Sequence, residues 1–154
     1  MRGIRIILAG KIRKSFYSSA FDYYLQKVQA LNRVDIIIVK DARSGSFSSR
    51  LEQEGRQILE RTGSRDFCVV LDEKGKSFSS KKFSSALKNW EEDPGCSPCF
   101  IIGGAYGLSQ KVRSRADLLM SFGPMTMPHE LAAVVLIEQI YRAQTITRGH
   151  PYHH

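Results

Sequence analysis

The sequence predicts an α/β fold: a mostly parallel sheet with helices on both faces. Three observations carry this. Short, continuously apolar, β-branched runs alternate with segments whose apolar residues recur at helical spacing. The runs lack the in–out alternation of a sheet with one wet face, so both faces are expected to be covered. No repeat or linker divides the 154 residues, which read as one domain over 1–154 with a core of ordinary size.

Ile4 to Ala9 is the first strand, ended by Gly10. Phe21, Tyr24, Leu25, Val28 and Leu31 then mark a helix, and Val34 to Val39 a second strand. Leu51, Ile58 and Leu59 mark a second helix, with Ser48 or Ser49 as its cap. Phe67 to Leu71 is the third strand. Ser79 to Trp90 is a helix with Phe83, Leu87 and Trp90 on one face. Cys99 to Ile102 is the fourth strand, stopped by Gly103-Gly104, and Leu118 to Phe122 the fifth. Segments 41–49 and 91–98, rich in serine, glycine or proline, read as mobile loops. The last helix, His129 to Thr147, is apolar around nearly its whole circumference. Such a helix must be covered on all sides, and a chain this short is hard pressed to surround it, so a homodimer is expected. Glu138 and Arg142, four apart, are placed to pair.

Net charge is +8, and residues 1–50 hold ten Lys and Arg against three acids. A polyanion such as nucleic acid fits that asymmetry, as does a solvated basic face. No apolar run is long enough to span a bilayer, and the arginine-bearing N-terminus lacks a signal-peptide pattern, so a cytoplasmic protein without membrane attachment is expected. Three cysteines do not make a disulfide framework. Cys96 and Cys99 spell C-x-x-C, but no second ligand pair follows closely, so no metal is expected; they read as a loop cysteine and a core cysteine.

Ligands of such sheets bind beyond the carboxyl ends of the strands. The first strand is followed by no G-x-G-x-x-G. Gly75-Lys76-Ser77 resembles the end of a P-loop, but Val70 stands where its first glycine belongs. Three strand ends remain: Leu71 to Lys76, Ile102 to Leu108, and Phe122 to His129. Glycines there let a ligand approach the backbone, and apolar walls with free main-chain edges suit an adenine. Spacing alone leaves a second reading open, that of three ordinary turns with Pro128 starting a helix.

Five ordered motifs resolve more. They are Leu71-Asp72-x-x-Gly75-Lys76, Phe100-x-Ile102-Gly103-Gly104-x-x-Gly107-Leu108, Met125-Thr126-x-Pro128-His129-x-Leu131, Glu138-Gln139-x-Tyr141-Arg142-Ala143 and Gly149-His150-Pro151-Tyr152-His153. Together the chain resembles the ribosomal large-subunit methyltransferase H family of the SPOUT class, almost end to end. The resemblance implies a C-terminal trefoil knot, S-adenosylmethionine as cofactor, and a homodimer. It also implies a 23S rRNA substrate in the ribosome, methylated at N3 of a pseudouridine. By matching position the cofactor contacts would be Leu71, Gly103, Phe122, Gly123, Pro124, Met125, Thr126 and Met127. Ala133 stands where the family usually has an arginine. Two other readings remain: a non-catalytic basic RNA-binding or ribosome-assembly factor, and a SPOUT enzyme acting on tRNA.

Methyl transfer to an imide nitrogen is helped by a proton acceptor nearby. Candidates are His129, Tyr152, His153 and Asp72. His129 opens a helix, whose dipole disfavours the protonated ring; it serves equally well as a structural partner of the cofactor loop. Arg142 is a candidate phosphate contact or the partner of Glu138. The tail, residues 148–154, is expected to fold over the active site, of its own or the other subunit, and to touch RNA.

Overall fold

A computed structural model describes residues 3–154. Five parallel strands form one sheet in the order β2-β1-β4-β3-β5. The strands are β1 (Ile4–Ala9), β2 (Val34–Val39), β3 (Asp66–Ser77), β4 (Ser97–Ile102) and β5 (Leu118–Ser121). The helices are α1 (Ser15–Gln29), α2 (Phe47–Arg61), α3 (Ser80–Glu92), α4 (Gln110–Arg115) and α5 (His129–Thr147).

Pleating sends alternate residues to opposite faces, and both faces are covered. Ile4, Ile6, Leu8, Val69, Phe100 and Ile102 pack with Phe21 and Val28 of α1, Phe83 and Leu87 of α3, and Leu136, Ile137 and Ile140 of α5. Ile7, Ala9, Cys68, Val70, Cys99 and Ile101 pack with Ile58 of α2 and Val112 of α4. Each central strand is therefore apolar throughout, which is why its sequence shows no alternation. Cys68 and Cys99, register partners on β3 and β4, share a hydrogen bond that, with burial, pushes the Cys99 thiol up. A buried thiol held protonated is a packing residue.

The element boundaries depart from the sequence expectation in instructive ways. α1 starts at Ser15, ahead of its first buried residue, Phe21. The cap of α2 is Ser46, whose hydroxyl accepts from Ser49 N at 3.2 Å; Ser48 and Ser49 lie inside the helix. The segments expected as loops over 41–49 and 91–98 are shortened by α2, by the end of α3 and by β4. α4 was not expected: Gln-Lys-Val-Arg-Ser-Arg offers one buried residue, Val112, and hence no periodicity, while Ser109 caps it from outside.

β3 runs past Leu71 to Ser77. Met120 of β5 faces both Leu71 and Lys76, so residues 72–75 bulge out of the ladder between two pairings with the same strand. Gly75 passes so close to β5 that a Cβ there would lie 2.5 Å from Leu119 C and 2.6 Å from Leu119 O. Only glycine fits this passage.

α5 lies on the sheet between α1 and α3. Ala133, Leu136, Ile137, Ile140 and Ala143 are buried within the chain, while Leu131, Val134 and Val135 remain half-exposed on one stripe. Among the described residues, no helix is long and apolar enough to cross a membrane.

Candidate functional site

All strands are parallel, so their carboxyl ends meet along one edge, and the loops leaving β3, β4 and β5 enclose a cleft of about 610 Å³. Ligand pockets fall in this size range. Leu71, Ile102, Leu108, Met120 and Phe122 give it apolar walls. Gly103 forms its floor under tight constraint: a Cβ would meet Gly107 O at 2.5 Å and Leu108 Cδ2 at 2.8 Å. The turn after β5 is pinned by Ser121, whose hydroxyl accepts from Gly123 N at 2.9 Å and shares its proton between Gly123 O at 2.8 Å and Glu73 O at 3.0 Å. This one side chain ties the β3 bulge to the β5 loop.

Of the residues expected to contact a cofactor, Leu71, Gly103, Phe122, Gly123, Met125, Thr126 and Met127 line the cleft. Pro124 does not; it is exposed at the turn, where its ring fixes the backbone between Gly123 and Met125. Met125 is 82% exposed, an apolar side chain held at the mouth.

His129 lines the cleft at the first turn of α5, and no side chain caps that helix. Its first N–H groups and the positive end of its dipole therefore face the cleft mouth. Asp72 is nearly buried, forms an ion pair with Arg113 of α4, and accepts from Lys74 N at 2.9 Å. One Asp72 oxygen thus holds the bulge at Lys74 and the other is ion-paired with Arg113, so the side chain braces β3 against α4.

Tyr152, His153 and Arg142 lie elsewhere. They form a cluster of their own on the outer side of α5, and the fold of one chain does not bring them to the cleft lining. Arg142 donates to Glu138 Oε1 at 2.6 Å, as the spacing predicts, and its guanidinium lies 4.8 Å from the centre of the Tyr152 ring. Tyr152 donates to the same Glu138 oxygen at 3.0 Å and packs edge-on against Tyr141. His153 Nδ1 is 3.2 Å from Arg142. Burial first, then the bonds to Glu138 and Tyr24, raise the Tyr152 pKa, so the phenol holds its proton. The tail is thus folded against its own helix, not frayed.

Two carboxylates that the sequence did not single out organise the neighbouring loops. Glu130 accepts from the backbone N–H of Arg13 and, at 3.4 Å, of Lys14, clamping the loop after β1 to the start of α5. Glu54 of α2 is 2% exposed; one oxygen accepts from Ala42 N at 3.3 Å, and the other is buried without a partner. That oxygen would lie 2.7 Å from a Cβ on Gly104. Burial raises the Glu54 pKa, Asp41 adds to the rise, and the Ala42 bond and His129 oppose it. Neither residue belongs to a motif with a recognisable ligand pattern. Among the described residues no group of three or more His, Cys, Asp or Glu is arranged for a metal.

Comparison with known proteins adds the decisive observation. Residues 1–153 match the family model described as a predicted SPOUT methyltransferase. The chain belongs to the SPOUT methyltransferase family. Among its relatives is a protein named ribosomal RNA large subunit methyltransferase H from Solidesulfovibrio magneticus, 43% identical over 154 residues covering all of both chains. Proteins of the same name from Lawsonia intracellularis (42% identical, 99% of this chain and 98% of that one) and Oenococcus oeni (36% identical, 99% of each) also match. Among solved structures, the SpoU methyltransferase AviRb from Streptomyces viridochromogenes in complex with AdoMet aligns with 96% of this chain and 60% of its own. Its TM-score is 0.48 at 15% identity. SPOUT methyltransferases use S-adenosylmethionine, and the cleft's glycine floor and apolar walls fit a flat, partly apolar group of that kind.

Proposed function

We propose that this chain methylates N3 of a pseudouridine in large-subunit ribosomal RNA, working as a cytoplasmic homodimer on the ribosome. The observation that carries the reading is full-length similarity, at 36–43% identity, to proteins named for ribosomal RNA large-subunit methylation. On this reading residues 1–154 act as one domain. On the same reading the C-terminal end of the chain would be threaded as a trefoil knot, an exception to the rule against threaded connections.

Bound in the cleft, S-adenosylmethionine supplies an electrophilic methyl group. Leu71, Gly103, Phe122, Gly123, Met125, Thr126 and Met127 would hold it, the adenine between apolar walls and against main-chain edges. Positioning for in-line attack is most of what the protein must do. The accepting nitrogen would give up its proton as it gains the methyl carbon and the donor's sulfur–methyl bond breaks, and His129, which lines the cleft, would take that proton or accept a hydrogen bond from it. Tyr152, His153 and Arg142 would serve the cleft of the other protomer. The half-exposed stripe Leu131, Val134 and Val135, beside Glu138 and the tail, supplies an apolar face for that partner.

Mass mapping of rRNA from a strain deleted for the gene tests the reading. The expected result is loss of one methyl group from a pseudouridine in the large-subunit RNA, restored by the purified protein with S-adenosylmethionine. An unchanged large-subunit map, or a lesion in tRNA instead, would overturn it.

A further inference from the structure

The edge of the sheet that holds the cleft has a second half. The cleft lies over β4, β3 and β5, and its lining carries Asp72 and Glu73 against Lys74 and Arg113. Beside it, over the adjacent ends of β1 and β2, the charge is one-sided. Ala9 and Val39 are register partners, so the loops that follow them leave the sheet together. Those loops bring Lys11, Arg13, Lys14, Lys40 and Arg43, all exposed, around one carboxylate, Asp41. Glu130 holds the first of these loops against the start of α5, and Glu54 holds Ala42 of the second.

At the seam of the two halves stands an aromatic pair. Phe47, the first residue of α2, is 60% exposed and meets the Tyr106 ring edge-on at 5.4 Å. Tyr106 sits between Ala105 and Gly107, both of which line the cleft. Arg50 lies one turn along α2, donates to the Tyr106 hydroxyl at 2.5 Å, and packs its guanidinium 5.5 Å from that ring. Among the described residues it has no carboxylate partner, and its Nε is buried without an acceptor. A large aromatic face held open in this way, backed by an unneutralised cation and flanked by basic loops, is the composition of a site for single-stranded nucleic acid.

We propose that Phe47, with Tyr106 and Arg50 behind it, stacks an unpaired RNA base adjoining the methylated nucleoside, while the loops over β1 and β2 hold the backbone phosphates. The proposal rests on the RNA-methyltransferase reading above and extends it to a named acceptor-side surface. It explains why the excess positive charge is placed beside the cleft rather than in it: the phosphates track the β1–β2 half, and one nucleoside reaches across the seam.

The test uses full-length protein and ribosomes from a strain deleted for the gene. Binding to those ribosomes, KM and kcat for methylation, and calorimetric binding of S-adenosylmethionine are measured for the wild type, Phe47→Ala, Phe47→Trp and Arg43→Gln. Phe47→Ala is expected to weaken ribosome binding and raise KM by about tenfold, the scale of one lost base stack. Cofactor affinity should stay unchanged, and Phe47→Trp should restore binding. Arg43→Gln should weaken binding and flatten its salt dependence. Ribosome affinity unaltered by Phe47→Ala overturns the stacking role, as does failure of the wild type to bind ribosomes. A wild type that binds but transfers no methyl group removes the enzymatic reading, and the Phe47 variants still decide the surface by binding alone.

Discussion

Glu54 is the residue whose environment departs furthest from what its type prefers. A carboxyl that is 2% exposed, with one oxygen unpartnered, resists ionisation, and burial raises its pKa above the ordinary 4.5. With the folded value above the unfolded one, the native state is favoured while the group is protonated. That advantage is full below the unfolded pKa and is lost as pH rises through the folded one. Glu54→Gln keeps an acceptor for Ala42 N and cannot ionise. The variant should therefore gain stability relative to the wild type as pH rises from 4 to 8, read as a widening gap between their urea midpoints. A constant gap would mean that the carboxyl is not held neutral. Nothing in the sequence marks Glu54, because its character comes from Gly104, Ala42 and Asp41, all distant in the chain. Gly103 and His129 stood out for the opposite reason: one directly follows a strand and the other opens a helix, while spacing alone left ordinary turns open and the family resemblance supplied Gly103's cofactor role.

Among the elements, the strands were the easiest to read and the local caps the hardest. β1 and β4 are short runs buried on both faces, and the edge strand β2 is apolar but for Asp35 even though its Ile38 is exposed, so composition suffices. α4 has one buried side chain and exists because Ser109 and the packing of Val112 hold it, which no periodicity conveys. The double pairing of β3 with β5 was equally hidden; Gly75 entered the sequence reading as part of a motif, without its physical reason. That reason makes a firm prediction. Gly75→Ala sets a methyl group against the Leu119 backbone, which cannot swing aside as a side chain would. Overpacking of this kind costs about 1–3 kcal/mol or more. Chemical denaturation should show that loss, with cofactor binding weakened in step because the preceding residues 72–74 of the same bulge line the cleft. Full stability in Gly75→Ala would mean that β3 and β5 separate at little cost.

For the whole molecule, the sequence already carried the parallel sheet, its two covered faces and the apolar terminal helix. It did not carry the placement of the tail, because a terminus of seven residues with three histidines has no core signal of its own. The stripe Leu131, Val134 and Val135 leads to an expectation on oligomeric state. Sedimentation should find a dimer at about 1 μM, and Val134→Glu should shift it to monomer while leaving the helical circular dichroism intact. A wild-type monomer at that concentration would remove the partner from the proposed site. The position of α5 has a further bearing on how the chain is made. Its nineteen residues fill the trench between α1 and α3, yet they leave the ribosome after the strands and helices they cover. Until they arrive, the nascent chain holds Phe21, Val28, Phe83 and Leu87 with no helix above them, so synthesis passes through a stage with an open apolar furrow. Any stop codon upstream of residue 129 would leave that furrow open for good, and such a fragment is bound for aggregation or proteolysis, not for residual activity.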